Sequence, residues 1–428
     1  MVTQMKVAQI NVTYGNADST GRNVKELHEY LLDKGIHSCV YTSKVNDDTK
    51  IDKEICLFSS AADKKTHALL SRLTGLQGYF SIASTKKLVR KLSEEQPDAV
   101  ILHVLHSNCI NFPILCRYLA ENDIPTVLVL HDCWYFTGHC CHFAQNECAK
   151  WQQDCRCCQH IHEWNCSWFF DTAHKCLRDK QKWFGSIPRL GVVGVSDWIT
   201  SEAKKSILKN AASIQRIYNW IDLEIFRPQD TKDLRAELSI REDEKVLLGV
   251  ASGWSDRKGL QEMLLVAKTI PDCRVIMIGI MPPNIDVPSN MLCTGTIREP
   301  KLLTRYYALA DVFLNPSIQE TFGKTTAEAL ACGTPVVAYK TTACTELVGC
   351  TRGEAVEQVD KNAFVSAVKK VLQQKWNNNQ LRSFAEQNFN KNCNIEEYIR
   401  MIHSLKRKNH YENRACIKLS ESAHETTM

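Results

Sequence analysis

The sequence alternates short apolar runs with amphipathic segments along most of its length, and this pattern limits the fold more than any other feature. The first half contains the runs KVAQINV, PDAVILHVL, IPTVLVL and RLGVVGV. Between them, STGRNVKELHEYLLDKG places Val24, Leu27 and Leu31 on one helical face. Runs this short and valine-rich predict strands that are buried on both faces. Alternation of such strands with helices predicts a parallel, doubly wound α/β sheet.

The same pattern starts again in the second half of the chain. Four more apolar runs occur there, EKVLLGVAS, CRVIMIGI, DVFLNPS and TPVVAY, with helical segments such as KLLTRYYALA between them. A chain of 428 residues also exceeds one ordinary core. We therefore predict two Rossmann-like domains, at residues 1–225 and 226–390, which face a central cleft. A helix over 391–410 is predicted to pack back on the first domain, before a polar tail over 411–428.

Composition and charge exclude several classes of protein. With 44% hydrophobic and 24% charged residues, the chain is typical of soluble globular proteins. A net charge of +5 favours anionic partners but is too small to indicate nucleic acid. No run approaches the roughly 20 apolar residues that span a bilayer. Since the start, MVTQMKVAQINVTYG, lacks the pattern of a secretory signal, a cytoplasmic location is predicted.

The residues that follow the predicted strands are the candidates for a ligand site, because doubly wound sheets bind ligands at the carboxyl ends of their strands. In NPSIQETFGKTTAEALACGTPVVAY, Glu320 and Glu328 flank Gly323. Residues 323–325 are predicted to open a helix, whose free N–H groups and dipole favour an anion, and Lys324 adds charge. On one helix axis the two carboxylates would lie about 12 Å apart. That separation suits the two ends of a nucleotide sugar with its diphosphate in between.

This segment resembles the donor-binding signature of the retaining glycosyltransferases of family 4, which have the two-domain GT-B fold. The signature is a glutamate, seven residues, a second glutamate and then ACGTPVV. YNWIDLEIFRP is similar to the interdomain segment of that family, and GVSDWIT to the strand end before it. The resemblance extends over most of the chain. It implies a hexosyltransferase of polysaccharide biosynthesis, with a UDP- or GDP-sugar as donor, a glycan or lipid-linked oligosaccharide as acceptor, and no cofactor or divalent metal in catalysis.

The resemblance also implies how the donor is held. Glu328 is expected to hold the ribose hydroxyls and Glu320 to contact the donor hexose. Lys258, with Arg257 beside it, is expected to neutralise the diphosphate, which gains charge as the glycosidic bond breaks. Many family members carry a glycine-arginine pair shortly before this lysine, whereas this chain has Gly253 followed by Trp254. Arg257 is expected to take the place of that arginine. The further donor-binding candidates are Phe322, Gly323, Lys324 and Thr325.

A second group of residues is assigned to the acceptor side. His131 follows the run TVLVL and matches a histidine that faces the acceptor and the donor sugar in the family, so it is predicted to be catalytic together with Glu320. A transition state with oxocarbenium character is expected there. VTYGNADSTGRN matches the glycine-rich acceptor loop of the family, with Gly15 and Gly21 as close-approach positions. Asp132 is a further acceptor-binding candidate.

Cysteines are concentrated in one loop. Eight of the 20 fall within residues 133–166, and Cys155 and Cys158 have CxxC spacing. Cys140 and Cys148 would complete a tetrahedral thiolate site for a structural zinc ion. The loop resembles an insertion in bacterial family members that build extracellular polysaccharides. Three interpretations stay open here: zinc, an internal disulfide and reduced thiols.

The segment STKKLVRKL is basic and apolar at helical spacing. It is interpreted either as a solvated surface helix with a packed face or as a peripheral contact with the anionic inner face of the cell membrane.

Two alternatives to the transferase also remain: a sugar-nucleotide epimerase of the same fold, and a non-catalytic subunit that binds a nucleotide sugar.

Overall fold

The computed structural model describes residues 4–16, 18–46, 52–144, 147–357 and 360–424, and side chains are described as far as residue 407. Two parallel sheets, each covered by helices, form two Rossmann-like domains, which confirms the predicted fold class. None of the helices in these ranges is both long enough and apolar enough to cross a membrane.

The N-terminal domain is built on a seven-stranded sheet of order β3-β2-β1-β4-β5-β6-β7, in which all neighbours are parallel. Its elements are β1 (Lys6–Tyr14), α1 (Ser19–Asp33), β2 (His37–Val45), β3 (Ile55–Leu57), α2 (Ala61–Thr74), α3 (Ile82–Glu95), β4 (Ala99–Leu102), α4 (Phe112–Glu121), β5 (Thr126–Leu130), α5 (Ala173–Gly185), β6 (Leu190–Gly194), α6 (Asp197–Lys205) and β7 (Ser213–Arg216).

The C-terminal domain is built on a six-stranded parallel sheet of order β10-β9-β8-β11-β12-β13. Its elements, with the helices that follow, are α7 (Lys232–Glu237), β8 (Lys245–Gly253), α8 (Leu260–Thr269), β9 (Cys273–Ile280), β10 (Met291–Gly295), α9 (Pro300–Leu309), β11 (Val312–Asn315), α10 (Lys324–Ala331), β12 (Val336–Tyr339), α11 (Cys344–Leu347), β13 (Gly353–Val356), α12 (Lys361–Gln373), α13 (Asn378–Asn388) and α14 (Lys391–His424).

Helix α1 shows how the sequence sets these elements. The Asp18 side chain accepts from the backbone N–H of Gly21 and so caps the first turn. Val24, Leu27 and Leu31, predicted to share a face, are all buried. The chain leaves the helix through Gly35, whose φ of 73° is readily adopted only by glycine.

The last helix, α14, returns to the N-terminal domain. Glu396 accepts a 2.8 Å hydrogen bond from the Tyr30 hydroxyl, and Lys406 Nζ lies 2.5 Å from an Asp98 oxygen. The side chains of Met401 and Leu405 lie directly over Gly191 in β6. The helical backbone continues to His424, past the predicted end at 410, and residues 425–428 of the predicted tail lie outside the described ranges.

Helix α3 contains the basic segment STKKLVRKL. Its apolar residues Leu88 and Leu92 are fully buried in the core of the N-terminal domain, whereas Lys86, Lys87 and Arg90 are exposed. Its packed apolar face is thus not free to enter a membrane, and only its basic face meets the solvent.

Candidate active site

A cleft with a volume of about 450 Å³ lies between the two domains. It opens at the carboxyl ends of the strands: His131 directly follows β5, and residues 319–325 follow β11. Its lining comes from both domains and includes Ser19, Thr20, His131, His142, Asn219, Ser252, Arg257, Lys258, Glu320, Phe322, Gly323, Lys324 and Thr325. The structure therefore brings together eight of the predicted site residues around one space.

Lys258 and Glu320 form an ion pair in this cleft. Lys258 ends a short 3₁₀ turn after β8, and its Nζ lies 2.5 Å from Glu320 Oε1. The backbone N–H of Glu320 donates to the Thr342 hydroxyl at 3.0 Å, which fixes the loop after β11. Burial opposes ionisation of Glu320, but the Lys258 ammonium outweighs it and holds the pKa of the carboxyl below its usual range. The cleft therefore contains a fixed cation and a fixed anion in contact.

The start of α10 forms the adjoining wall. Gly323 has a φ of 84°, and the helix begins at Lys324, so its first N–H groups have no partners within the helix. Lys324 Nζ donates to Asn23 Oδ1 of the N-terminal domain at 2.9 Å, and Asn23 in turn donates to Asn219. Burial lowers the pKa of Lys324. Asn23 is the last residue of the predicted acceptor loop VTYGNADSTGRN, but the sequence did not predict its contact with Lys324, which lies 301 positions away.

Glu328 lies one turn further along α10 and is buried. Its Oε2 accepts a 2.9 Å hydrogen bond from the Tyr307 hydroxyl. Burial raises the pKa of this carboxyl despite the nearby charge of Lys324. Glu328 is not one of the residues that line the described cleft, although Lys324 and Thr325 of the same helix are.

His131 belongs to a buried chain of polar groups. Its Nε2 lies 3.2 Å from His103 Nδ1, and His103 Nε2 lies 3.2 Å from Gln9 Oε1. Burial lowers the pKa of His131 to about 4 and that of His103 far below its usual value, so both rings are neutral at pH 7. Since only one of the facing nitrogens carries a proton, the tautomer of His103 determines that of His131. Neither His103 nor Gln9 was assigned a role from the sequence.

The three predicted acceptor-side residues lie beside the cleft and are not part of the lining described above. Gly15 follows β1 with a φ of 118°, and a side chain at Gly21 would come within 3.0 Å of the Gly15 carbonyl. Asp132 uses both oxygens internally: one accepts from the backbone N–H of Trp134 at 2.9 Å, and the other lies 2.8 Å from His106 Nε2. The neighbours Ser19 and Thr20 line the cleft in place of the glycines.

The four cysteines of the predicted zinc site surround one small cavity of about 20 Å³. Cys140, Cys148, Cys155 and Cys158 are free thiols, and the hydrogen bond from Cys140 lowers the pKa of Cys158 to about 6. Within the described residues, however, no three of their sulfurs lie within 4.8 Å of one another. The structure therefore gathers the four side chains without assembling a closed ligand set.

The cysteine-rich loop also reaches the C-terminal domain. The backbone N–H of Ala144 donates to Gln319 Oε1 at 2.9 Å. The Trp164 ring lies 4.6 Å from the His142 ring, and the Arg257 guanidinium carbon lies 5.3 Å from the Trp164 ring centre. Arg257, which is predicted to bind the donor, thus makes a cation–π contact with an aromatic ring of the opposite domain.

A further link between the domains was not predicted. Glu346 in α11 accepts hydrogen bonds from the backbone N–H groups of Asp197 and Trp198, at the start of α6, and from the Tyr218 hydroxyl. A carboxylate at a helix N-terminus is favoured by the free donors and the dipole there. No local sequence pattern marks this residue, because its partners lie more than 120 positions away.

Two family models match the chain, one in each half. The model described as "Glycosyltransferase Family 4" matches residues 20–225, and the model "Glycosyl transferases group 1" matches residues 244–374.

Among curated proteins, the chain is 32% identical over 126 residues to the alpha-monoglucosyldiacylglycerol synthase of Streptococcus pneumoniae, which is 26% of this chain and 28% of that protein. It is 31% identical over 140 residues to the D-inositol 3-phosphate glycosyltransferase of Mycobacteroides abscessus, 30% of this chain and 31% of that protein. The matched part thus spans about three tenths of the length of these curated relatives.

Solved structures match nearly the whole fold. The sucrose-phosphate synthase of Thermosynechococcus elongatus superposes with a TM-score of 0.70 at 16% identity, over 95% of this chain and all of that one. HepE of Anabaena in complex with UDP and glucose superposes with a TM-score of 0.64 at 15% identity, over 94% of this chain and all of that one. These likenesses confirm the GT-B fold.

Proposed function

We propose, from the premise that the chain belongs to the glycosyltransferases of family 4, that it transfers a hexose from a nucleotide-diphosphate sugar to a glycan or lipid-linked oligosaccharide, with retention of configuration and for polysaccharide synthesis in the cytoplasm. In this step the acceptor oxygen bonds to the anomeric carbon as the bond to the diphosphate breaks, and the acceptor proton passes to the leaving diphosphate.

The observation that carries this proposal is the Lys258–Glu320 ion pair beside the start of α10 in the interdomain cleft. An ammonium has three N–H donors, so Lys258 can hold Glu320 and still donate to a diphosphate oxygen. The free N–H groups of residues 323–325 supply further donors that require no rearrangement. Glu320 is then left beside the hexose, on the other side of the cation.

The remaining site residues are assigned around this core. Glu328 lies four positions past Lys324, on the same face of α10, and we assign it to the ribose hydroxyls. Arg257 and Phe322 flank the diphosphate. His131 is neutral, so its role is to hydrogen-bond a sugar hydroxyl rather than to neutralise charge. Gly15, Gly21 and Asp132 stay assigned to the acceptor side.

The donor can be identified by ligand-induced stabilisation. The purified full chain is unfolded thermally with UDP-, GDP-, ADP- and TDP-sugars, and a ligand at a hundredfold excess over its Kd adds about 2.7 kcal/mol of stability. We expect one nucleotide class to stabilise the protein, and Glu328→Ala to remove that effect. Release of nucleoside diphosphate on addition of acceptor then tests transfer. Binding without release in the presence of acceptor lipids would favour a non-catalytic subunit, whereas conversion of the sugar nucleotide alone would indicate an epimerase.

The basic face of α3 supports peripheral contact with an anionic membrane, where a lipid-linked acceptor resides. Its exposed lysines and arginine would act by charge alone, because the apolar face is packed. Each charge near an anionic leaflet contributes about 1 kcal/mol, so replacing Lys86, Lys87 and Arg90 by glutamate should weaken binding to phosphatidylglycerol vesicles by at least roughly 100-fold. The matched control replaces three other exposed lysines of the same domain, Lys204, Lys205 and Lys209, by glutamate. Equal losses in both variants would reject α3 as the contact.

We further propose a structural zinc ion for Cys140, Cys148, Cys155 and Cys158, supported by their common cavity and by the polarised thiol of Cys158. Their sulfurs would have to move closer together when the ion binds.

The domain boundary is proposed at 225/226, in a segment that is fastened to α13 by hydrogen bonds from Arg382 to the carbonyls of Leu223 and Phe226.

A further inference from the structure

A second set of metal-ligating side chains lies outside the donor cleft. His106, Asp132 and Cys141 each offer one ligand atom, and these three atoms lie within 4.8 Å of one another. They come from three separate segments: the turn after β4, the turn after β5 and the cysteine-rich loop. The sequence gives no sign of this group, because no two of its members have a spacing typical of a metal motif.

The distances within the group suit a small ion. Asp132 Oδ2 lies 2.8 Å from His106 Nε2, and Cys141 Sγ lies 3.8 Å from the same nitrogen. Zn–N and Zn–S bonds of about 2.0–2.1 Å and 2.3 Å place tetrahedral nitrogen and sulfur ligands roughly 3.6 Å apart. The corresponding nitrogen–oxygen separation is roughly 3.3 Å, so an ion would have to widen only the His106–Asp132 contact.

The surroundings separate this group from chance clusters at the surface. The side chains of His106 and Asp132 are 17% and 15% exposed, and Cys141 is buried. The other group of this kind in the described residues, His37, Cys39 and Glu95, already has its carboxylate paired with Lys6. No lysine or arginine is paired with Asp132 among the described ion pairs.

We propose that His106 Nε2, an Asp132 carboxylate oxygen and Cys141 Sγ bind a zinc ion. Thiolate and imidazole ligands select Zn²⁺ over Mg²⁺ or Ca²⁺, which prefer oxygen ligands alone. Binding displaces the thiol proton of Cys141 and the proton on His106 Nε2 to solvent, while the carboxylate of Asp132 supplies the second negative charge.

The fourth position of a tetrahedral set is left to water or to the next residue in the chain. His142 follows Cys141, and its buried Nδ1 has no hydrogen-bond partner in the described part of the chain. His142 also lines the donor cleft and packs against Trp164. An ion at this site would therefore fasten the cysteine-rich loop to the turns after β4 and β5, next to His131 and the cleft.

The test measures bound metal in the full chain after exhaustive dialysis against metal-free buffer. The wild type is expected to retain one zinc equivalent that His106→Asn and Cys141→Ser each lose. Cys166→Ser, which alters a cysteine of the same loop outside the group, is the matched control and should retain it. A Cys148→Ser/Cys155→Ser double variant removes the predicted four-cysteine site and should also retain this equivalent.

Cobalt substitution tests the proposal without His106→Asn and Cys141→Ser, should either variant fail to fold. With Co²⁺ in place of zinc, the Cys148→Ser/Cys155→Ser protein should show a thiolate-to-cobalt charge-transfer band with the intensity of one thiolate. Absence of that band, or equal metal contents for wild type, His106→Asn and Cys141→Ser, would overturn the proposal and leave a plain His106–Asp132 ion pair. Neither readout depends on sugar transfer, so failure of the proposed enzymatic function would leave the result intact.

Discussion

Lys258 Nζ and Glu320 Oε1 lie 2.5 Å apart, although 62 positions separate the two residues in the chain. The turn after β8 and the loop after β11 bring them together, because these strands are neighbours in the C-terminal sheet. The cation holds the buried carboxylate in its charged form, and the carboxylate in turn orients the cation toward the cleft. Each residue therefore depends on the other for its state, and substitutions at the two positions should not be additive.

Lys258→Met should lower kcat by roughly 100- to 1000-fold, as expected when one fixed donor to a developing negative charge is lost. The same change removes the charge that lowers the pKa of Glu320, so burial should then raise that pKa. Residual activity should consequently decline at a higher pH than in the wild type as the medium is acidified. Steady-state kinetics over a pH series measure both effects. Lys340→Met, which alters an exposed lysine of the same domain, is the control, and a similar loss there would remove Lys258 from the donor site.

Glu328→Gln should stabilise the protein without ligand and weaken donor binding. Burial raises the pKa of Glu328, so the stability that its neutral form contributes is present at low pH and is lost as the pH rises through the folded pKa. A neutral amide avoids that loss, and the melting temperature of the variant should exceed that of the wild type by more at a pH above the folded pKa than in acid. Loss of a charged hydrogen-bond acceptor for the ribose should cost roughly 10- to 100-fold in donor affinity.

Glu262→Gln provides the matched control for that variant. Glu262 is also buried in the C-terminal domain and also accepts a hydrogen bond from a tyrosine, Tyr339, but it does not lie on α10. Its substitution should leave donor affinity unchanged. If calorimetry gave equal donor affinities for Glu328→Gln and the wild type, Glu328 would not be a ribose ligand.

The sequence predicted the central strands of both sheets better than their edges. Of the strands that were not predicted, β3, β7, β10 and β13 lie at sheet edges, whereas β2 lies inside the N-terminal sheet, next to the edge strand β3. An edge strand has one neighbour and partial burial, so its residues carry less of the continuous apolar signal on which the prediction rests. β7, with the sequence SIQR, contains no buried residue.

The site was predictable where its residues share one segment. Glu320, Gly323 and Lys324 follow one strand and line one cleft, as their spacing indicated. The partners of His103 and Asn23 were not predictable, because the fold brings His131 and Lys324 to them and no local pattern marks either contact. The ligand group around His106 was missed for the same reason.

His131 should make the native state less stable in acid. Its pKa is about 4 in the folded chain, against about 6.5 for a solvated histidine, so the unfolded chain binds a proton between these values that the native chain does not. The free energy of unfolding should therefore fall as the pH decreases from about 6.5 to about 4. His131→Gln should make this dependence shallower by up to about 1.4 kcal/mol per pH unit. Denaturant titrations at a series of pH values measure the slope, and His403→Gln, at an exposed position on α14, should leave it unchanged.

Trp164→Ala should weaken use of the donor even though the residue belongs to the opposite domain. The Trp164 ring holds the Arg257 guanidinium at 5.3 Å, and a contact of this kind contributes about 0.5–2 kcal/mol. Without the ring, the Arg257 side chain should be less well positioned to bind the diphosphate. Loss of that contact energy corresponds to a rise of roughly 2- to 30-fold in donor KM, with a smaller change in kcat. Trp168→Ala alters an exposed tryptophan four positions further along, over whose ring none of the described cations lies, and should leave donor KM unchanged. Combination with Arg257→Met separates the two explanations for any loss. If Trp164 acts through Arg257, the double variant should be no worse than Arg257→Met alone, whereas additive losses would indicate that Trp164 only supports the fold of the loop.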